Sequence, residues 1–173
     1  YSSKNIINSL KSLYYSELPI KNVKFNAKFF NTKELTIPEC FFSKDIPAIS
    51  EMKEFDDEEE THPDILKRIE KVKIMIGQGG QKEKKDYLIS ESRFKHIQKI
   101  AFFEQVRLNL LANEYGKAIY NAYSLLLEHP DSKYLELLIA KALYGLARYS
   151  NAGEFQKVAE SYSKIEGESY QVH

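Results

Sequence analysis

The chain of 173 residues is long enough to bury a core as one domain or two small ones. Lys plus Arg and Asp plus Glu are equal at 25 each, so no field of one sign exists to attract nucleic acid or an anionic membrane surface. The hydrophobic content of 43% indicates a folded, soluble protein, and no apolar run approaches the roughly 18 residues of a membrane span.

The two chain termini and the cysteine content limit what the chain can be and which metals it can bind. Cys40 is the only cysteine, which excludes an intrachain disulfide and a thiolate cluster for zinc or iron. The chain starts at Tyr1 without an initiator Met and ends at His173 without a helix stop. We therefore expect a piece of a longer protein, with any targeting signal outside it.

The first predicted region covers residues 1–60. Ser2 and Ser3 can cap a short helix that ends before Pro19, and its apolar residues fall on one face: Ile6, Ile7, Leu10, Leu13 and Tyr14. Alternating residues then indicate an extended segment or an aromatic-anchored irregular loop: Val23, Phe25, Ala27 and Phe29. Residues 51–60 include seven acidic side chains, which is typical of a solvated linker.

The second predicted region, residues 61–89, is an amphipathic helix followed by a glycine-rich turn. Thr61 and Asp64 have capping-box spacing, Pro63 is tolerated in a first turn, and Gly77 stops the helix before a hinge. One apolar stripe runs along this helix: Ile65, Ile69, Val72 and Ile76. We expect this stripe to pack against the helices that follow.

The third predicted region, residues 90–173, reads as four helices forming two hairpins. The first contains Phe94 to Leu111 and ends near Ala112–Asn113, and the second follows Tyr115 and stops at Pro130. The third spans Lys133 to Arg148. A fourth is marked by apolar residues before Gly167: Phe155, Val158, Ala159, Tyr162 and Ile165. The fold class is therefore mainly α.

These hairpins resemble tetratricopeptide repeats, an αα-solenoid family. Tyr115 and Tyr149 lie 34 residues apart, which is the repeat period, and Tyr115-x-x-Ala118 followed by Pro130 matches the aromatic-x-x-small step and closing proline. Val106 departs from the usual glycine, and the second unit carries an insertion at 150–153. An ordinary antiparallel helix bundle remains the alternative.

A second resemblance covers residues 60–69, Glu-Thr-His-Pro-Asp-Ile-Leu-Lys-Arg-Ile, which are similar to the Thr-His-Pro…Arg-Ile signature of HtpX-like and CAAX-prenyl-protease-like zinc metallopeptidases. It implies a bacterial parent in the cell envelope or periplasm, with repeats after a catalytic core. The family's zinc needs a His-Glu-x-x-His helix and an acidic ligand, neither of which this chain contains. The resemblance implies that the fragment alone is no enzyme and holds no cofactor, whereas the full-length parent would be a zinc metalloendopeptidase.

His62 is the single metal candidate, since the resemblance places it near the parent's zinc cleft. A lone imidazole binds metal weakly, so we favour a role in the helix cap. The pattern predicts no catalytic residue. We expect a protein-interaction region that binds or positions a protein or peptide, and its candidate anchors are Tyr115, Tyr120, Tyr123, Tyr144 and Tyr149. The alternative is a stand-alone tetratricopeptide-like adaptor unrelated to peptidases.

Overall fold

The computed structural model describes residues 3–54, 64–78, 86–87, 89–159 and 165–172. The described chain is mainly α-helical, as the sequence predicted, and contains no β-strand in these ranges. Its helices are α1 (Ser3–Tyr14), α2 (Ile65–Gln78), α3 (Glu91–Leu111), α4 (Tyr115–Leu126) and α5 (Lys133–Asn151). Short 3₁₀ turns occur at Ala27–Phe30, Glu39–Phe41, Phe155–Lys157 and Gly167–Val172.

The chain divides into two compact units. Unit 1 comprises Tyr1–Leu18 and Ser50–His96, and unit 2 comprises Pro19–Ile49 and Ile97–His173. The predicted region 1–60 is thus shared between both units, because residues 19–49 pack with the C-terminal helices. The order of elements in the sequence does not indicate that residues 19–49 belong to unit 2.

In unit 1, α2 packs against α1, a partner that the sequence did not indicate. Ile69 of the predicted apolar stripe is buried. The cap of α2 is Asp64, whose carboxylate accepts hydrogen bonds from the N–H groups of Leu66 at 2.6 Å and Lys67 at 3.4 Å. Thr61, His62 and Pro63 lie outside the described residues, and the helix continues past Gly77 to Gln78.

In unit 2, α4 packs chiefly against α5, whereas the sequence paired α4 with α3 and α5 with the predicted fourth helix; α3 joins their core through Val106. Helix α3 ends where predicted because Asn113 adopts a left-handed φ of 62°, and the Glu114 N–H then donates to the Asn109 carbonyl at 2.9 Å. Ala118 is fully buried in a cluster with Ala142. Small residues therefore lie at the contact between the two hairpin helices.

Helix α4 is the centre of unit 2. Every residue of α4 except Lys117 is buried, because α3, α5, the 3₁₀ turn Gly167–Val172 and residues from the 19–49 segment all pack on it. A helix that is apolar nearly all round is stable only when it is covered on every side. The described structure covers α4 in this way.

The predicted fourth helix is wrong over its described residues. Phe155–Lys157 form one 3₁₀ turn, Val158 and Ala159 leave it, and Ile165 precedes the separate turn at Gly167. Gly153 and Gly167 both have positive φ, at 71° and 72°, which interrupts the chain on either side. Val158 and Ile165 are nevertheless buried, so the apolar pattern marked core contacts rather than a helix.

Gly145 of α5 provides a test of the hairpin packing. A Cβ at this position would overlap the ring of Tyr115, which is itself buried. Gly145→Ala is therefore expected to lower the free energy of unfolding by about 1–3 kcal/mol through overpacking. This loss should appear in urea unfolding even though alanine has the better helix propensity.

Gly77 of α2 is the matched control. A Cβ there meets nothing within 4 Å, so Gly77→Ala should instead stabilise α2 by roughly 0.5–1 kcal/mol. Equal effects of the two substitutions would show that Tyr115 does not occupy the space beside Gly145.

Across the described ranges, the helices include none whose length and apolar content suffice to cross a membrane.

Candidate functional site

The five candidate tyrosines occupy two different environments. Tyr115, Tyr120 and Tyr123 lie on α4 and are buried, whereas Tyr144 and Tyr149 lie on α5. Tyr144 is 66% exposed and Tyr149 is partly buried. The structure therefore brings Tyr120 and Tyr123 together at one face of α4 and leaves Tyr144 in solvent.

The hydroxyl of Tyr120 binds both main-chain groups of Val23. It accepts a hydrogen bond from the Val23 N–H at 2.9 Å and donates one to the Val23 carbonyl. A phenolic O–H can do both because it carries a donor and an acceptor on one atom. Val23 lies in residues 20–26, here called the arm, of which 21–26 form neither helix nor strand and Asn26 has extended φ and ψ.

Tyr123 and Asn121 also bind main-chain groups of the arm. The Tyr123 hydroxyl accepts from the Asn26 N–H at 3.0 Å and donates to the Lys24 carbonyl at 3.0 Å. The Asn121 side-chain oxygen accepts from the Ile20 N–H at 3.1 Å. Side chains of one helix thus replace the neighbouring strand that an extended segment normally requires.

Phe25 is the apolar anchor of the arm. Its ring is buried, with its centroid 4.9 Å from that of Tyr123 in an edge-to-face arrangement, 5.9 Å from Phe30 and 6.0 Å from Phe42. Such aromatic pairs stabilise beyond simple area burial. The arm is therefore held by main-chain hydrogen bonds on α4 and by one buried ring.

The C-terminal 3₁₀ turn holds the opposite side of the arm. The Glu168 carboxylate accepts from the Phe25 N–H at 3.0 Å, and the Glu168 N–H donates to the Asn22 side chain at 2.7 Å. Gly167 permits this approach, because its positive φ suits glycine and a Cβ there would lie 2.6 Å from Asn22 Oδ1. The arm thus lies between α4 and this turn.

The remaining tyrosines have other partners. The Tyr115 hydroxyl donates to the Asn113 side chain at 2.8 Å, and its ring lies 6.1 Å from that of Tyr149. The guanidinium of Arg148 lies 5.9 Å from the exposed Tyr144 ring. These three tyrosines do not contribute to the contact with the arm described above.

An open pocket of about 490 Å³ lies beside the arm. Phe25 and Phe42 provide aromatic surface, and the charged residues of the lining are three lysines and one glutamate: Lys24, Lys28, Lys44 and Glu39. The pocket therefore exposes part of the anchor ring in a setting of mixed charge.

Burial raises the pKa of Tyr120 to about 12 from its ordinary value of 10.0, and the Glu168 carboxylate adds to the rise. Tyr120→Phe should lower the free energy of unfolding by about 1–3 kcal/mol at pH 7, because both main-chain groups of Val23 lose their partner. Since the folded pKa is the higher one, wild-type stability from this group is complete below pH 10 and is lost as pH rises towards 12. Urea unfolding at pH 7 and between pH 10 and 12 tests both effects.

The phenylalanine variant should lack this part of the alkaline decline. Tyr144→Phe is the control, because its hydroxyl belongs to an exposed ring, and its effect should stay within about 0.5 kcal/mol. A loss at Tyr144 as large as that at Tyr120 would contradict the assignment of the hydroxyl to the arm.

Potential metal ligands are scattered over the described residues, where no three His, Cys, Asp or Glu side chains are grouped to hold an ion. His62 lies outside the described ranges. Cys40 and His96 are exposed, and the ring of His129 packs 5.5 Å from that of Phe103.

Sequence reasoning missed most residues of this site: Val23, Phe25, Asn121 and Glu168. A usable signal was the composition of α4, in which Lys117 is the only charged residue. Such a helix must be covered on every side, which predicts burial of Tyr120 and Tyr123 and a further segment to cover them.

The chain matches no protein-family model, no curated protein and no solved structure.

Proposed function

We propose that unit 2 is a polypeptide-binding module that recognises the main chain of an extended segment, with its own arm as the intramolecular occupant. One observation carries this proposal. The hydroxyls of Tyr120 and Tyr123 bind N–H and carbonyl groups of the arm rather than its side chains. Main-chain recognition by rigid aromatic side chains suits a groove that accepts different sequences.

The same site supplies limited specificity through the ring of Phe25. Its cavity is lined by aromatic rings, so an occupant needs an aromatic residue there. Two positions earlier, Val23 is partly buried and favours an aliphatic residue. The preferred partner is therefore an extended segment with an aliphatic residue, one variable residue and then an aromatic residue.

The arm competes with any such partner. An intramolecular segment acts at an effective concentration of the order of mM, so a free peptide binds weakly while the arm is in place. Loss of one hydrogen bond of the arm should weaken its binding and so raise the apparent affinity of the site for a free peptide. A change of about 1.4 kcal/mol in the arm corresponds to a tenfold change in the apparent affinity for a competitor.

The experiment uses the full chain and a fluorescent synthetic peptide of residues 18–31. Val23→Pro removes the N–H that Tyr120 accepts while suiting extended backbone. Fluorescence anisotropy should show that this variant binds the peptide about tenfold more tightly than wild type. A peptide with N-methyl groups at the positions of Val23 and Asn26 should bind at least about tenfold more weakly than the unmodified one.

Lys24→Pro is the matched control, since the Lys24 N–H is not one of the groups that the tyrosine hydroxyls bind. Circular dichroism verifies that each variant retains its helices. If the folded Val23→Pro chain failed to bind the peptide, or bound the N-methylated peptide equally well, the proposal would be abandoned.

The setting of this module is a separate proposal. The resemblance at residues 60–69 supports a place after the catalytic core of a cell-envelope zinc metallopeptidase, where the module would position protein substrates. The alternative is a tetratricopeptide-like adaptor without a peptidase. The parent gene discriminates between them, because only the first requires an upstream His-Glu-x-x-His helix.

A further inference from the structure

Helix α3 has two apolar faces on opposite sides. One is buried in unit 2 through Val106, with Phe102, Phe103 and Leu110 packed against the same core. On the other side, Ile97, Leu108 and Leu111 are 65%, 51% and 63% exposed. A surface helix of a globular protein normally has polar residues on its outer side. The outer face of α3 is therefore built for contact.

The residues of this outer face have coiled-coil spacing. We call them the α3 seam: Ile97, Ala101, Glu104, Leu108 and Leu111. They follow one another at steps of four, three, four and three residues. This is the spacing of the a and d positions of a heptad, whose side chains all face the partner helix. The seam is presented by a helix that is already folded, so pairing requires little further ordering.

The charges along the seam favour a second copy of the same helix. Glu104 and Arg107 form a bidentate ion pair on one α3, with Arg107 Nε donating at 2.8 and 2.9 Å, so the middle of the seam carries no net charge. The flanking Gln98 and Gln105 are uncharged. Two copies can approach without facing like charges, provided that the two Glu104 residues lie in different layers.

The relative orientation of the two helices decides whether the two Glu104 residues lie in different layers. In a parallel pair, Glu104 would face its own copy, which is unfavourable. In an antiparallel pair, Ile97 of one copy packs on Leu108 of the other, and Glu104 lies against the small Ala101. This arrangement is isologous and leaves room for the Glu104–Arg107 ion pair. The antiparallel register therefore satisfies every position from Ile97 to Leu108.

We propose that α3 mediates reversible self-association of this chain through an antiparallel pairing of its seam with that of a second copy. The interface is small, and so the dimer is a weak one that forms at high protein concentration. It lies on the outer face of α3 and does not depend on the proposed binding of an extended peptide.

Sedimentation equilibrium of the full chain up to about 1 mM is the first test, and it should show a monomer–dimer equilibrium. Leu108→Glu should weaken the dimer at least about tenfold, because it buries a charge against Ile97 of the other copy. Leu127→Glu is the matched control, since Leu127 is equally exposed but lies at the end of α4, and it should leave the equilibrium unchanged. A wild-type chain that stays monomeric throughout would overturn the proposal.

A pair of substitutions at Ala101 tests the orientation. In the antiparallel pair, residue 101 faces Glu104 of the other copy, so Ala101→Lys should retain the dimer and Ala101→Glu should weaken it at least about tenfold. In a parallel pair, residue 101 would face itself, and both variants would be weakened alike. Equal weakening would therefore overturn the antiparallel arrangement. Ala101 is exposed, and circular dichroism establishes that the helices persist in both variants.

Discussion

Replacing Phe25 by alanine is expected to lower the free energy of unfolding of unit 2 by about 3–5 kcal/mol. The ring is 8% exposed and lies among Tyr123, Phe30 and Phe42, so its removal leaves a cavity that these rigid rings cannot fill. Urea unfolding followed by circular dichroism measures the loss. Hydrogen exchange should also show faster exchange at the N–H groups of Val23 and Asn26, because the arm loses its anchor.

Leu35→Ala is the control for this substitution. Leu35 belongs to the same 19–49 segment, but it is 59% exposed, so its truncation should change the free energy of unfolding by less than about 0.5 kcal/mol. A loss below about 1 kcal/mol at Phe25 would mean that the arm does not contribute to the core of unit 2.

The second large effect is expected in unit 1, where Ile69→Ala should cost about 2–5 kcal/mol. Ile69 is buried and belongs to α2, the helix that packs against α1. Amide hydrogen exchange is the measurement of choice, since it reports on each helix. Protection should fall in both Ser3–Tyr14 and Ile65–Gln78, because each helix loses its cover.

Ile74 provides the comparison on the same helix. It is 53% exposed, and Ile74→Ala should leave protection in α1 unchanged. If Ile69→Ala weakened α2 while α1 kept its protection, the packing of α1 on α2 would not be a source of stability for α1.

The helices of this protein could be predicted from local pattern, since their signals lie within a few residues of each boundary. Capping residues mark two of these boundaries in the structure: Asn113 follows α3 with a positive φ, and Ser132 before α5 accepts a hydrogen bond from the Leu135 N–H. The fourth helix failed because the same signals compete with distant contacts. Gly167 donates its N–H to the Pro47 carbonyl, a partner that no local pattern reveals.

The candidate site shows the same division between local and distant information. Tyrosines at helical spacing were singled out as anchors, but whether each is exposed depends on what covers its helix. Alternation at Val23 and Phe25 indicated extended backbone, yet the expected strand partner is replaced by side chains about a hundred residues later. Ala27 and Phe29 belong to a 3₁₀ turn instead. Pairings of this kind leave no periodic trace in the sequence.

The way the arm is held has a consequence for biosynthesis. Its partners follow late in the chain: Tyr120 is 97 residues after Val23, and Glu168 is 143 residues after Phe25. At about 5–20 residues per second, a ribosome needs roughly 7–30 s to make the last partner after the arm has been synthesised. Until α4 has also been synthesised, the aromatic residues Phe25, Phe29 and Phe30 have no cover from that helix. The aromatic residues of the arm therefore stay uncovered in the nascent chain until α4 and the turn Gly167–Val172 have been made.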